Sequence, residues 1–352
     1  MMEIDKPVEI RKGEEIDLVK LNQFLHQIGS QVQNVLQQKQ FPGGYSNLTY
    51  LLSTAGKEYI LRRPPFGAAI KSAHDMGREF KVLSLLKPHY SKIPEPIAFC
   101  EDLSVIGTPF YIMERIKGVI LRPSLIKEIQ LTPQEMRTVS ESLVDNLVAL
   151  HAIDVQTTQL IQLGKPEGYV QRQVNGWTKR YDVAQTDQIE AMDSLSQWLN
   201  KNQLPDSQPT LLHNDYKYDN VVLRENKLEE IIGVLDWEMA TVGDPWMDVG
   251  ASLAYWAEKK DDDLAKIFNI SWLPGNLTRK EVVERYVAGS GRSISNPLFY
   301  YVFGLYKNAV IAQQIYARWK QGHSKDPRFG QLIHVINNLA KRGVRAVESD
   351  SI

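Results

Sequence analysis

The sequence predicts an α+β fold with two lobes, a small N-terminal lobe rich in β-strands and a larger helical lobe. Two observations support this prediction. Short apolar segments bounded by Gly and Pro dominate residues 32–115, and this pattern is typical of strands and hairpins. From residue 132 onward, apolar residues recur mostly with helical spacing. We therefore expect an N-lobe over residues 1–115 and a C-lobe over residues 116–352.

The elements of the N-lobe follow from apolar spacing and from turn residues. The spacing over residues 15–28 predicts a first helix. A second helix is expected over 75–87, where Pro88 ends it. Strands are expected at 32–40, 47–53, 58–63, 96–100 and 109–115.

The C-lobe is expected to begin after a hinge near residues 113–118. Thr132, followed by Pro133 and Glu135, has the pattern of a helix N-terminus. That helix is expected to end near His151. Further helices are expected near 186–202, 245–258, 279–289, 297–320 and 329–346, with a β interruption at 209–236.

Composition excludes several classes of protein. The 352 residues contain 41 basic and 42 acidic side chains, so the overall charge predicts neither a nucleic-acid partner nor a membrane partner. Cys100 is the single cysteine, which excludes an internal disulfide and a multi-thiolate metal site. The N-terminus lacks the layout of a signal peptide, and no apolar run reaches the ~18 residues of a membrane span. We expect a cytoplasmic protein, and its oligomeric state stays open.

The densest chemical signal is the segment 211–220. His213, Asp215 and Asn220 fit the pattern H-x-D-x-x-x-x-N, which is the catalytic-loop pattern of kinases. A hairpin is expected to follow and to bring Asp236 back beside Asn220. Phosphoryl transfer requires a carboxylate to receive the proton of the acceptor hydroxyl, and an Asn/Asp pair to hold Mg²⁺. Asp215 is then the expected base, Asn220 and Asp236 are the expected metal ligands, and Lys217 is expected to neutralise charge on the transferred group.

The same segment has a simpler interpretation, in which two strands carry polar loops with surface carboxylates. Motif matches of this kind have a substantial false-positive rate. The order of loop, hairpin and second Asp favours phosphoryl transfer.

A glycine-containing segment lies between the first two expected strands. Glycines there allow backbone N–H groups to approach phosphate oxygens. Gly43, Gly44, Ser46 and Asn47 are therefore expected to contact the nucleotide. The alternative is an ordinary hairpin turn.

The strand expected at 58–63 ends in two arginines. Arg62 and Arg63 stand where a kinase carries its phosphate-pairing lysine, and a guanidinium can bind phosphate with two N–H groups. Glu79 in the next helix is the expected partner of this cation. Because a strand alternates its faces, at most one of the two arginines is expected to point into the cleft. The alternative is a pair of solvated charges at the edge of the sheet.

On these residues the chain resembles the aminoglycoside-phosphotransferase-type small-molecule kinases, over about residues 41–316. Within that family it is most similar to the kinase-like domain attached to some acyl-CoA dehydrogenases. The runs that support this narrower resemblance are 43–50, 61–65, 172–177 and 243–248.

The resemblance implies a protein-kinase-like bilobal fold that binds ATP and Mg²⁺ and phosphorylates a hydroxyl group of a small molecule. Arg62 takes the position of the strand lysine in this comparison. The resemblance further implies a hinge at Met113, Glu114 and Ile116 that contacts adenine.

The acceptor is expected to be anionic. Residues 297–345 contain one acid, Asp326, and eight cations, namely Lys307, Arg318, Lys320, Lys325, Arg328, Lys341, Arg342 and Arg345. A basic wall would attract an anionic hydroxyl compound such as a hydroxyacyl-CoA, whereas the simpler interpretation is solvated helix faces.

Three alternatives to this function are weighed against it. One is a nucleotide-binding pseudokinase that acts as a scaffold module, and another is an aminoglycoside kinase. A protein kinase is disfavoured, because no Ala-Pro-Glu segment follows Asp236.

Overall fold

The computed structural model describes residues 6–41, 47–65, 76–324 and 326–352. Contacts divide the chain into two units. The first unit contains residues 1–120 and 221–240, and the second contains 121–220 and 241–352. The contacts therefore place residues 116–120 and 221–240 with the N-terminal unit, whereas the sequence-based division assigned them to the C-lobe. The predicted fold class, a small β-sheet lobe and a larger helical lobe, is confirmed.

The first unit is built on a five-stranded antiparallel sheet with the order β1-β2-β3-β5-β4. Its strands are β1 (Gln37–Gln40), β2 (Leu48–Ser53), β3 (Glu58–Arg63), β4 (Pro96–Cys100) and β5 (Phe110–Glu114). Its helices are α1 (Leu18–Gln27), α2 (Met76–Leu86) and the short α3 (Leu103–Ile106).

The two faces of this sheet pack against different helices. Leu52, Leu61 and Ile112 share a buried core with Leu21 and Leu25 of α1. Residues alternate between the faces of a strand, so the neighbours of Leu61 point to the opposite face. On that face Phe80 of α2 stacks on Phe99, with ring centroids 5.7 Å apart. This alternation directs Arg62 toward α2.

The first strand is shorter than the sequence predicts. It begins at Gln37 rather than near residue 32. The side chain of Asn22 accepts from the N–H of Val35 at 2.8 Å and donates to its carbonyl at 3.0 Å. These bonds occupy both backbone groups of Val35, which therefore do not join the ladder.

The hairpin that was expected after Asn220 consists of β7 (Val221–Arg224) and β8 (Lys227–Val234). Val221 pairs with Val234, so the chain that leaves Asn220 and the chain that enters Asp236 run side by side, as expected. Gly118 lies against this hairpin. A Cβ at Gly118 would approach the carbonyl oxygen of Leu223 to 2.4 Å, so no larger residue fits there without a backbone shift.

The second unit is mainly helical. Its helices are α4 (Pro133–His151), α5 (Tyr169–Ala184), α6 (Glu190–Lys201), α7 (Pro245–Tyr255), the short α8 (Asp263–Lys266), α9 (Arg279–Ser290), α10 (Pro297–Lys320) and α11 (Leu332–Ser349). Thr132 and Glu135 form the expected capping box of α4. A two-stranded ladder pairs β6 (Thr210–Leu212) with β9 (Thr241–Gly243). None of the described helices is long and apolar enough to cross a membrane.

Helix α5 was missed by the sequence analysis. Its N-terminus has no local capping side chain, because Gly168 occupies the N-cap position. The carboxylate of Asp206 instead accepts from the N–H groups of Tyr169 and Val170. A cap that comes from a residue 36 or 37 positions away leaves no signal in the local sequence.

Helices α7 and α10 cross at two glycines. A Cβ at Gly250 would lie 2.2 Å from the carbonyl oxygen of Tyr300, and one at Gly304 would lie 2.1 Å from that of Gly250. Only glycine allows the two backbones to approach this closely. The crossing holds the middle of α10 beside α7, which begins a few residues after β9.

Candidate active site

Asp215 lies in a loop that follows β6 and is tied to its neighbours by short polar contacts. Lys217 Nζ contacts both carboxylate oxygens of Asp215, at 2.9 and 2.8 Å. Asn220 Nδ2 donates to Asp215 Oδ2 at 2.9 Å and to its backbone oxygen at 2.8 Å. The spacing of the motif therefore brings together three of the predicted site residues in the second unit.

Lys217 is held as a cation. Its ammonium lies 4.4 Å from the centroid of the Tyr255 ring. Burial disfavours the charge, but Tyr255 and Asp215 outweigh it and raise the pKa of Lys217 above its usual value. The side chain therefore remains charged over the whole physiological range.

The backbone of the loop is held by hydrogen bonds to Asp248 of α7. This fully buried carboxylate accepts from the N–H of His213 at 2.6 Å and from that of Asn214 at 2.8 Å. His151 contacts it at 3.1 Å. Burial alone would raise the pKa of Asp248, but the bonds from His151 and the loop backbone keep it below its usual value. Asp244 caps α7 at the N–H of Trp246.

Lys307 of α10 is a further residue of this region, and the sequence analysis placed it only in a basic wall. Its ammonium donates to the carbonyl of Asn214 at 2.8 Å. Burial lowers the pKa of Lys307 to about 8. One signal could have revealed it, since Lys307 is the single charge in the otherwise apolar and polar run 297–317, and buried lysines usually have a partner.

Asp219 is a second carboxylate of the loop. It lies near Lys217 and Arg122, and burial raises its pKa to about 6. Within the described ranges its Oδ1 atom has no hydrogen-bond partner. The carboxylate is therefore under-solvated at neutral pH.

In the first unit, Arg62 is surrounded by carboxylates. Its guanidinium contacts Glu79 at 2.5 Å, Asp236 at 3.2 Å and Glu238 at 3.8 Å. Burial disfavours the charge of Arg62, but these acids raise its pKa above its usual value. Arg63 lies on the other face and donates to the carbonyl of Pro64. The two arginines point to opposite faces as expected, and both are buried rather than solvated.

Asn47 joins the same cluster, because its amide donates to Glu238 at 2.8 Å. Gly43, Gly44 and Ser46 lie outside the described residues. Asn47 is thus the one residue of the expected phosphate-binding segment whose position the structure describes.

The expected adenine hinge lies at the end of β5. Met113 is buried and pairs with Ile60 of β3, and Glu114 is exposed, with its N–H bonded to the carbonyl of Glu95. Ile116 packs closely on Gly233 of the hairpin, where a Cβ would approach it to 2.7 Å.

The expected metal ligands suit Mg²⁺ by their chemistry. The amide nitrogen of Asn220 donates to Asp215, so the carbonyl oxygen is the side-chain atom of Asn220 that is suited to a metal. Asp236 follows β8 and has a left-handed φ of 67°. No group of three or more His, Cys, Asp or Glu residues suited to a metal occurs among the described residues. Mg²⁺ ordinarily uses one or two protein carboxylates together with phosphates and water, so an amide oxygen and a carboxylate are each ligand types that suit it.

Several of the basic residues of 297–345 have partners within the described part of the chain. Lys320 pairs with Asp187 at 2.7 Å, and Arg328 pairs with Asp326 at 2.6 Å. Arg342 donates to Tyr301 Oη. Lys325 lies outside the described residues. Lys307 is the member of the set that bonds the backbone next to Asp215.

A small β-sheet unit, a larger helical unit, and a loop with Asp215 that leads into a hairpin are the features of a kinase-like phosphotransferase. Residues 37–282 match the family model described as the phosphotransferase enzyme family APH. This match covers more than half of the chain, and the chain belongs to that family. The resemblance stated from the sequence is confirmed.

The curated relatives agree with the narrower resemblance. The chain is 33% identical to human acyl-CoA dehydrogenase family member 11 over 329 residues, which are 92% of this chain and 42% of the relative. It is 32% identical to the probable acyl-CoA dehydrogenase IBR3 of Arabidopsis thaliana over 306 residues, 81% of this chain and 36% of the relative. The chain spans less than half the length of these relatives.

Solved structures show the same fold. A putative aminoglycoside phosphotransferase from Ralstonia eutropha JMP134 superposes with a TM-score of 0.80 at 29% identity, covering 95% of this chain and 99% of the other. A spectinomycin phosphotransferase in complex with ADP and spectinomycin gives a TM-score of 0.58 at 14% identity, covering 93% and 97%. Family and neighbours together indicate phosphoryl transfer to a small molecule.

Proposed function

We propose that this protein is an ATP- and Mg²⁺-dependent kinase that phosphorylates a hydroxyl group of an anionic small molecule. The observation that carries the proposal is the Asp215 carboxylate, which accepts hydrogen bonds from Lys217 and Asn220 of the same loop. Family membership supplies the reaction class.

Asp215 is the proposed base. A carboxylate within hydrogen-bond reach of the acceptor hydroxyl receives its proton as the new O–P bond forms. Lys217 carries a positive charge beside this carboxylate. In the proposed role it also stabilises the negative charge of the transferred phosphoryl group.

Asn220 and Asp236 are the proposed ligands of Mg²⁺, which supplies charge neutralisation on the nucleotide phosphates when bound. Arg62 is proposed to bind phosphate through its guanidinium, with Glu79 as the group that orients it. The phosphates are proposed to be covered by Gly43, Gly44, Ser46 and Asn47. The adenine ring is proposed to contact Met113, Glu114 and Ile116.

An anionic acceptor is favoured over a polycationic one. Lys217 and Lys307 are two buried or half-buried cations near the proposed base, and like charges near a binding site raise the cost of association. The relatives named as acyl-CoA dehydrogenases make a hydroxyacyl-CoA a reasonable first acceptor to test.

The test is a nucleotide-consumption screen of purified protein with hydroxylated acids, hydroxyacyl-CoA thioesters and kanamycin, with ATP or GTP as donor and with Mg²⁺ or EDTA. We expect product to form from an anionic acceptor and ATP, only in the presence of Mg²⁺. The apparent KM for that acceptor should rise with salt, because ions screen charges over ~8 Å near physiological ionic strength.

Two outcomes would contradict the proposal. Phosphorylation of kanamycin with no activity on any anionic acceptor would support an aminoglycoside kinase. Tight ATP binding without turnover on any acceptor would support a pseudokinase, provided that the Asp215→Asn variant binds ATP equally well and is equally inactive.

A further inference from the structure

Lys307 is a buried cation beneath the loop that carries Asp215. It lies in the middle of α10 and is 3% exposed. Its ammonium donates to the carbonyl of Asn214 at 2.8 Å. A lysine in such a position requires a reason, because burying an ammonium is costly unless it gains specific partners.

Asn214 adopts a backbone conformation that must be held in place. Its φ is 65°, in the left-handed region that residues other than glycine seldom occupy. Such conformations persist where the surroundings over-determine them. Asp248 accepts from the N–H of Asn214 at 2.8 Å, and Lys307 donates to its carbonyl. Two buried charges of opposite sign therefore bond the N–H and the carbonyl group of the same residue.

We propose that Lys307 is a positioning residue, which holds the Asn214 carbonyl so that the carboxylate of Asp215 keeps its orientation for phosphoryl transfer. The peptide group that Lys307 contacts is the one that joins Asn214 to Asp215. A rotation of this peptide group would turn Asp215 away from Lys217 and Asn220. The proposal rests on the proposed role of Asp215, but the contact itself can be measured without turnover.

The charge of Lys307 is finely balanced by the groups that face it. Asp248 of α7 and Asp215 of the loop favour the charged form, whereas Lys217 of the loop and Arg180 of α5 oppose it. Burial is the largest cause, and it brings the pKa of Lys307 to about 8. The Trp177 ring centroid lies 5.9 Å from the ammonium. Lys307 is thus set to lose its proton at mildly alkaline pH, where Lys217 keeps its own.

Loss of this proton should weaken the hydrogen bond between Lys307 and the Asn214 carbonyl without abolishing it. A neutral amine can still donate to the Asn214 carbonyl, but a charge-assisted hydrogen bond is about twice as strong as a neutral one. The difference, of the order of one ordinary hydrogen bond, corresponds to about a fivefold change in local opening. When the loop opens by breaking this bond while the Lys307 side chain stays buried, the open state holds the proton less tightly than the closed state. We therefore expect the loop to loosen as the pH rises through about 8.

Hydrogen exchange of the full-length protein tests this contact directly. Exchange in peptides that cover residues 211–220 is measured from pH 6.5 to 9.5 and corrected for the intrinsic pH dependence. In the wild type we expect corrected exchange to rise about fivefold above pH 8. Lys307→Met should exchange fast at every pH. Lys307→Arg stays charged throughout, so it should keep the loop protected at every pH and remove the step.

A matched control is available on the same helix. Lys320 is half-exposed and pairs with Asp187, so Lys320→Met should leave both the exchange of the loop and its pH step unchanged. Turnover provides the second readout. If Lys307 positions Asp215, kcat should follow the same alkaline step, while the KM for nucleotide stays within about twofold.

The results separate the possible explanations. Loop exchange in Lys307→Met equal to the wild type at every pH would overturn the proposal, and so would a loosened loop with an unchanged kcat. If Lys307→Met does not fold, a wild-type protein without an alkaline step overturns it equally. A wild type that shows the exchange step but no turnover on any acceptor would count against the proposed function and leave the contact confirmed.

Discussion

The residues around Arg62 and those around Asp215 differ in the balance of their charges. In the first unit Arg62 contacts three acids, Glu79, Asp236 and Glu238. In the second unit the carboxylate of Asp215 receives contacts from Lys217 and Asn220. One cluster has an excess of negative charge and the other is close to neutral.

This difference separates two kinds of task. An excess of carboxylates around one arginine is an arrangement that gains from an added cation, because the negative charges of the acids repel one another. A carboxylate held by two donors is instead oriented in advance for a reaction, and it needs little rearrangement when the reaction occurs. The following predictions test this comparison, from the largest expected effect to the smallest.

Removing the negative charge of Asp215 should have the largest effect. Asp215→Asn keeps the shape of the side chain but removes the proton acceptor, so kcat should fall by ~10²–10⁴. Affinity for ATP should stay within a few-fold. Turnover assays and calorimetric ATP titration measure the two quantities, and near-wild-type turnover would refute the assignment of Asp215.

Removing Arg62 should destabilise the protein more than any other change in the first cluster. Arg62→Met leaves Glu79, which is buried, without its counter-charge, and breaking a buried ion pair costs about 3–5 kcal/mol. Chemical denaturation gives the free energy of unfolding.

The double variant Arg62→Met/Glu79→Gln is the matched control for Arg62→Met. It should recover part of the lost stability, because the orphaned carboxylate is neutralised. A single variant as stable as the wild type would show that the cluster does not depend on this cation.

Asp236 should matter for metal-dependent nucleotide binding. Asp236→Asn removes one carboxylate ligand, and we expect the affinity for ATP in the presence of Mg²⁺ to fall by about 100-fold, or ~2.7 kcal/mol. Affinity for ATP measured in EDTA should change much less. Equal losses with and without Mg²⁺ would indicate that Asp236 does not bind the metal.

The smallest effect is expected at Asp219, and it is stabilising. Its pKa is about 6 in the folded protein and ordinary, near 3.9, in the unfolded chain. The folded state therefore binds the proton more tightly, so the carboxylate lowers stability fully above pH 6 and does so less and less as the pH falls below that value.

Asp219→Asn should therefore raise the free energy of unfolding by about 1–2 kcal/mol at pH 7.5, a fraction of the ~3 kcal/mol that two pKa units represent. The gain should shrink at pH 4.5. Thermal unfolding at the two pH values measures it. A gain that is the same at both values would show that the pKa of Asp219 is not the cause.

Much of the candidate site was readable from the sequence because its residues are close in the chain. Asp215, Lys217 and Asn220 lie within six residues of one another, so the local geometry of one loop decides their contacts. The alternation of strand residues likewise predicted that Arg62 and Arg63 point to opposite faces. The roles proposed for these residues stay predictions.

Other features escaped the sequence analysis because their partners are distant. Asp206 caps α5, and Asn22 keeps Val35 out of the sheet before β1 begins, through bonds that no local pattern encodes. The basic wall stays a prediction, but the pairing of its members depends partly on distant residues. Lys320 has an acidic partner 133 residues away, which a count of charges along residues 297–345 cannot reveal.

The sequence by itself determined the fold class, the family and the loop that carries Asp215, because each depends on residue spacing within one element or on short-range motifs. Tertiary structure alone decided which charges are buried and what they contact. Lys307 is 93 positions from Asn214, and its depth in the protein follows from the close crossing of α7 and α10 at Gly250 and Gly304. Burial and long-range pairing set the pKa of a side chain, and neither exists until the chain has folded.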